Sequence, residues 1–149
     1  MSVYSDILSA VKTKVEGSGV FASTPIPVSI RKRAFFSASH GDTPPAVMIA
    51  PGEERIHSLY MPDGVWVDYP VHVLLVSAEG GALGNATELQ YQLDRRQELR
   101  ALLWKSSLSG VSAVFDCDYD PHPAFDLGGL DKLYDVSVQL FTFRAKETR

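Results

Sequence analysis

A chain of 149 residues with 45% hydrophobic side chains is long enough to bury one core, and nothing in its length calls for a second domain. Its 18 acidic against 14 basic residues leave a net charge of −4, which argues against a domain whose affinity would come from neutralising phosphates. The single cysteine, Cys117, excludes an internal disulfide and fits a reducing compartment. No basic stretch followed by an apolar one opens the chain, and the longest apolar run, residues 71–76, is far too short to span a bilayer. The expectation is a protein made in the cytoplasm without a membrane anchor.

In chain order, Ile7, Leu8, Val11 and Val15 stand at helical spacing, and the Gly-Ser-Gly at 17–19 ends that helix. Residues 26–33 alternate Ile26, Val28 and Ile30 against Ser29, Arg31 and Arg33, which predicts a half-buried strand with a basic polar face. Residues 36–45 mix small, polar, Pro and Gly residues without period and predict a mobile loop; residues 46–51 predict a compact apolar strand. Two further strands, "ERIHSLY" and "VWVDYPVHVLLVSA", flank "MPDG", where Pro62 presets φ and Gly64 tolerates positive φ, so a β-hairpin is expected. On the second of them Val65, Val67, Tyr69, Val71, Val73 and Leu75 share a face, and Pro70 implies an edge or a bulge.

A second mobile loop is expected at 77–84, after which Asn85 can cap a long helix reaching about Lys105. That helix gathers Leu89, Leu93, Leu99, Leu103 and Trp104 on one face, with Arg96 and Arg100 inside the same arc. Either the arginine stems cover core side chains while the guanidinium groups reach water, or the two arginines pair with carboxylates of a neighbouring subunit. Residues 111–120 and 132–145 alternate as strands, with Tyr134, Val136, Val138 and Leu140 sharing a face of the last. The order α-β-β-β-β-α-β-β lacks βαβ alternation and predicts a single α+β domain over 1–149 with a mostly antiparallel sheet.

The chemistry-bearing stretch is "VFDCDYDPHPAFD", residues 114–126. Asp116 and Asp118 point to one face of a strand, and Phe115, Cys117 and Tyr119 to the other. A calcium loop counted from Asp116 would need Gly and Glu where Pro121 and Leu127 stand. His40, His57, His72 and His122 are scattered, and none has a partner three or four residues on, as a zinc site would ask. No nucleophile-elbow, phosphate-loop or dinucleotide motif is present, and Cys117 on an apolar strand face reads as a core residue. The expectation is no catalytic centre, no metal and no cofactor; a small metal-binding or hydrolytic domain built on the 116–122 Asp/His cluster is the alternative from another class.

The run "IPVSIRKR", "PAVMIAPGEE", "DYPVHVLLV", "LDRRQELRALLW", "FDCDYDPHPAFD" and "YDVSVQLFTFRAKETR" resembles, over essentially the whole chain, the small tail-terminator and tail-completion (neck) proteins of long-tailed bacteriophages and prophages. The resemblance implies a virion structural protein forming a ring, a hexamer, that caps the head-proximal end of the tail tube. Its partners would be the tail tube protein and a head completion or connector protein, with DNA passing through the ring but no sequence-specific contact to it. A head–tail connector, joining or stopper, is the near alternative. Independently of the resemblance, sign segregates along the chain: Arg31, Lys32, Arg33, Arg95, Arg96 and Arg100 form a basic set, and Asp116, Asp118, Asp120, Asp126 and Asp131 an acidic one. A head-to-tail ring contact between the two sets is expected, carried by Arg31, Arg33, Arg96, Arg100, Asp116, Asp118 and Asp120. The two loops and the charged tail "RAKETR" are expected to become ordered on meeting the tube or the connector.

Overall fold

The computed structural model describes residues 2–18, 26–33, 46–57, 64–78, 86–105, 108–120 and 134–148. These form two helices and one six-stranded, mostly antiparallel sheet, an α+β fold: α1 (Val3–Glu16), β1 (Val28–Ile30), β2 (Ala46–Pro51), β3 (Arg55–His57), β4 (Gly64–Ala78), α2 (Ala86–Leu103), β5 (Val114–Asp120) and β6 (Tyr134–Thr148). The expected loop at 36–45, the 58–63 turn with Pro62, the Asn85 cap, and His40, His122, Asp126 and Asp131 lie outside the described residues.

Helix α1 starts at Ser2, whose hydroxyl accepts the Ser5 N–H at 3.2 Å, and it stops at Gly17, whose N–H reaches the Thr13 carbonyl at 2.9 Å. Its Ile7, Val11 and Val15, one turn apart, are buried against the sheet.

The sheet runs β1-β2-β4-β6-β5, and β3 joins β4 on the same side as β2. Its axis is the antiparallel ladder between the two 15-residue strands β4 and β6. Val67, Tyr69, Val71, Val73 and Leu75 turn to the helices as their alternation predicts, joined by Val47 and Ile49 of β2, Phe141 and Phe143 of β6, and Cys117 of β5. On β6 Val136, Val138 and Leu140 do share a face, but the helices lie on the other, where Ser137, Gln139, Phe141, Phe143 and Ala145 are buried. At the β2 end the reverse face of the sheet is apolar too, with Met48, Leu74 and Val76 buried together.

Three local expectations need correction. Strand β1 covers only Val28–Ile30 and runs parallel to β2, the one parallel pair among the described strands; Arg31 adds an N–H to the Ile49 carbonyl, while Lys32 and Arg33 bend away. Ser77 and Ala78 continue β4 instead of opening a loop, because β6 keeps them paired to Asp135 and Tyr134; residues 79–84 lie outside the described set. Pro70 sits in a strand paired on both sides. Its carbonyl accepts the Gly52 N–H at 3.0 Å, so its missing donor faces the break where β2 ends at Pro51 and β3 has not begun. The proline is accommodated by interrupting the neighbour, not by lying at an edge.

That break is closed by Tyr4 of α1, whose hydroxyl donates to the Pro70 carbonyl and accepts the Gly52 N–H at 2.8 Å. A Cβ on Gly52 would stand 2.9 Å from the Pro70 ring and 3.2 Å from the His72 imidazole, so only glycine fits. Gly52→Ala is expected to cost about 1–3 kcal/mol of stability through this overpacking. A urea titration checks it; an unchanged midpoint contradicts the close approach.

Candidate functional site

The face of the sheet opposite the helices is polar where β3, β4, β6 and β5 lie side by side. The register aligns Arg55 with Asp68, Asp68 with Arg144 and Arg144 with Asp116, a row of alternating charge across four strands. Asp68 is its centre: its carboxylate accepts from Arg144 Nε at 2.8 Å on one oxygen and meets His57 Nε2 at 2.6 Å on the other. Burial would raise the Asp68 carboxyl, but the hydrogen bonds and charges of Arg144 and His57 outweigh it and hold the group below its usual range. Around this row lies a cleft of about 380 Å³ whose lining includes Glu53, Arg55, His72, Asp118, Asp120 and Thr142.

The row ends at β5, the free edge of the sheet among the described strands. Asp116, Asp118 and Asp120 share the open face there, as their spacing predicts. Lys105, just past α2 and held at φ 57°, bends around this edge: its N–H binds the Cys117 carbonyl at 3.1 Å, and its Nζ reaches Asp116 at 3.2 Å and Asp118 at 3.0 Å. Its bonds to Asp118 and Asp116 raise the ammonium pKa. A lysine laid over an edge strand also obstructs strand addition there. Asp116, Asp118 and Asp120 thus place three carboxylates along this edge, with Lys105 and, on β6, Arg144 beside them.

The other expected contact residues separate into three places. Arg31, beside Ser29 and bonded to it at 3.3 Å, and Arg33 follow β1, at the opposite edge of the sheet from β5. Arg100 is exposed on α2. Arg96 instead turns inward, its guanidinium donating to Ser137 Oγ at 2.7 Å, the Val138 carbonyl at 2.8 Å and the Tyr119 hydroxyl at 3.2 Å. The head group thus bonds to a polar end of its own sheet, a contact that neither role foreseen for Arg96 included.

The same polar end sets how α2 lies. Gln92, Arg96, Leu99 and Leu103 form its inner stripe, and Gln139 returns a bond to the Arg96 carbonyl at 2.9 Å. Leu93 and Trp104, expected inside, are 42% and 48% exposed: the sheet beneath the first half of α2 offers Ser137 and Gln139 to polar partners and not to Leu93, and Trp104 stands in the turn past the helix end.

Cys117 is fully buried, and that burial foremost pushes its thiol up to about 12, so at neutral pH it holds its proton and is no nucleophile. Among the described residues no group of three or more His, Cys, Asp or Glu side chains is placed to hold a metal ion. No described helix is long and apolar enough to cross a membrane. The chain matches no protein-family model and no curated protein sequence.

Reading residue by residue missed Asp68, Arg144 and Lys105. The available signal was the single charged residue of β4, Asp68, at an outward position, which acquires meaning only once β4 and β6 are set in register and Arg144 stands opposite it. Replacing the carboxylate in Asp68→Asn is expected to cost about 1–3 kcal/mol at pH 7, the usual loss when a charged hydrogen-bond partner is removed. Because the folded pKa of Asp68 is lowered, its contribution is complete above the ordinary carboxyl value of about 3.9 and fades as pH falls through the folded value. Denaturation curves at pH 7 and pH 3 check this: the gap between wild type and variant narrows at acid pH, and a constant gap contradicts it.

Proposed function

We propose that this chain is a non-enzymatic structural subunit of a long-tailed phage tail, of the terminator or completion type. Copies of it join head to tail into a ring, a hexamer by resemblance, at the head-proximal end of the tail tube. The observation that supports the reading is the placement of three aspartates along one edge of the sheet and of four basic residues along the other, where Glu53 and Glu54 also stand. Asp116, Asp118 and Asp120 line β5, whereas Arg31 to Arg33 follow β1 and Arg55 lies on β3, at the far side. A contact between two unlike edges is heterologous, and heterologous contacts close into rings when the rotation per subunit divides a full turn.

The same arrangement counts against chemistry at the aspartates. Asp116 and Asp118 are tied to Lys105, Asp68 to Arg144 and His57, and Cys117 is protonated in the core. Charge at the two edges steers encounter and sets register more than it adds affinity. Arg96 leaves the contact set, since a carboxylate partner from a neighbour would have to strip it from Ser137, Val138 and Tyr119. In the tail the ring would meet the tube protein on one side and a connector on the other, with DNA passing through its lumen.

Two charge-reversed proteins test this. Asp118→Lys with Asp120→Lys, and separately Arg31→Glu with Arg33→Glu and Arg55→Glu, are each expected to lose the ring, while an equimolar mixture regains it because reversed edges face each other alternately. Light scattering reads the masses; two variants that both keep the wild-type mass contradict the edge contact. Added to growing tail tubes, the wild-type ring is expected to stop elongation, and tubes that lengthen unchanged exclude the terminator position.

A further inference from the structure

The two edges carry more than opposite charge: they carry it at the same height along the strands. Row by row, Asp116 of β5 is level with Arg144, Asp68 and Arg55, and Asp120 is level with Leu140, His72 and Ala50, beside which Arg31 hangs by its bond to the Ile49 carbonyl. All of these residues lie on the face of the sheet opposite the helices. On the helix side the same edges expose apolar groups. Ile56 of β3, the cross-strand partner of buried Val67, is 64% exposed, and Trp104, one residue before the amide that binds Cys117, is 48% exposed.

From these positions, and resting on the ring reading above, we infer that β3 of one copy docks on the β5 edge of the next without slip along the strands. Arg55 meets Asp116 on the open face, and Ile56 meets Trp104 on the helix face. The occupant of the β5 edge is thus a second copy of this chain, selected by charge complementarity in register and by an aromatic anchor paired with an aliphatic one. A rotation axis parallel to the strands preserves height, so each row of one sheet continues into the same row of its neighbour and Arg55–Asp68–Arg144–Asp116 repeats around the ring. The contact is made by side chains, not by a shared ladder, because the Lys105 amide already occupies the Cys117 carbonyl. It also gives β3 a role: a three-residue strand whose side chains are all exposed buries little within its own chain. Aromatic side chains surrounded by charge are the common centre of such interfaces.

The test is cross-linking in the full chain. The native thiol is buried and protonated, so it does not compete. With Arg55→Cys and Asp116→Cys together, mild oxidation is expected to yield covalent multimers ending at the ring size. Arg31→Cys with Asp116→Cys, displaced by four residues or about 13 Å along the strands, is expected to yield none. Multimers from the second pair alone mean a slipped contact, which overturns the inference and leaves the ring reading intact. A ring-sized mass with neither pair cross-linking places the contact elsewhere and also overturns it. A wild-type protein that stays monomeric overturns both. In parallel, Ile56→Ala and Trp104→Ala are each expected to raise the concentration for half-assembly by roughly thirtyfold, with the double variant little worse than either single one. Additive effects of the two contradict their contact.

Discussion

The pairing of β4 with β6 is the constraint from which the other features follow. Its register sets Val71 beside Phe141 and Tyr69 beside Phe143 on one face, and Asp68 beside Arg144 on the other. A slip of one residue would carry the charged pair into the core and the phenylalanines into water, so each face enforces the alignment that the other needs. The remaining strands take their places from this pair. β2 and β3 divide one side of β4 at Pro70, and β5 lies along β6 with a bulge between Val114 and Asp116 that resets its aspartates onto the open face.

Polar groups explain why the two faces are not simply wet and dry. The helix face is apolar along most of its length but ends in Ser137 and Gln139, and burying them requires a donor for the Ser137 hydroxyl and an acceptor for the Gln139 amide. Arg96 and Gln139 bond across the gap between α2 and β6 to meet that requirement. Holding α2 in this way leaves Leu93 outward, and the turn that follows the helix, fixed by the Lys105 amide on the Cys117 carbonyl, carries Trp104 into solvent and Lys105 to the β5 edge.

Much of the architecture was legible because it depends on local period. Alternation in 65–75 named the core face of β4, the spacing of Ile7, Val11 and Val15 named that of α1, and the order of elements gave the α+β class. What escaped was set by tertiary pairing. The alternation at Ile26, Val28 and Ile30 carried no sign that the strand would be short and parallel to β2. The apolar arc of α2 pointed to Leu93 and Trp104, since nothing local reveals that the opposing sheet is polar. On β6 the more apolar alternate set lies away from the helices, because phenylalanines further along the strand decide its inner face. The aspartates of β5 were placed on the correct face by alternation, but Phe115, expected beside Cys117, is turned out against Trp66 by the bulge at Val114/Asp116, and the lysine partner comes from another element that only the fold brings there.

The edge arrangement joins these observations into one account of assembly. In the proposed ring the aspartates of β5 would face the arginines of β1 and β3 on the next copy, whereas a lysine across β5 discourages indiscriminate strand addition. The most direct measurement is the mass of the purified protein by native mass spectrometry and light scattering, over a range of concentration and at low and moderate salt. The account predicts one discrete ring-sized species that dissociates more readily as salt screens the edge charges. A monomer at every concentration, or a ladder of open-ended oligomers indifferent to salt, would contradict it.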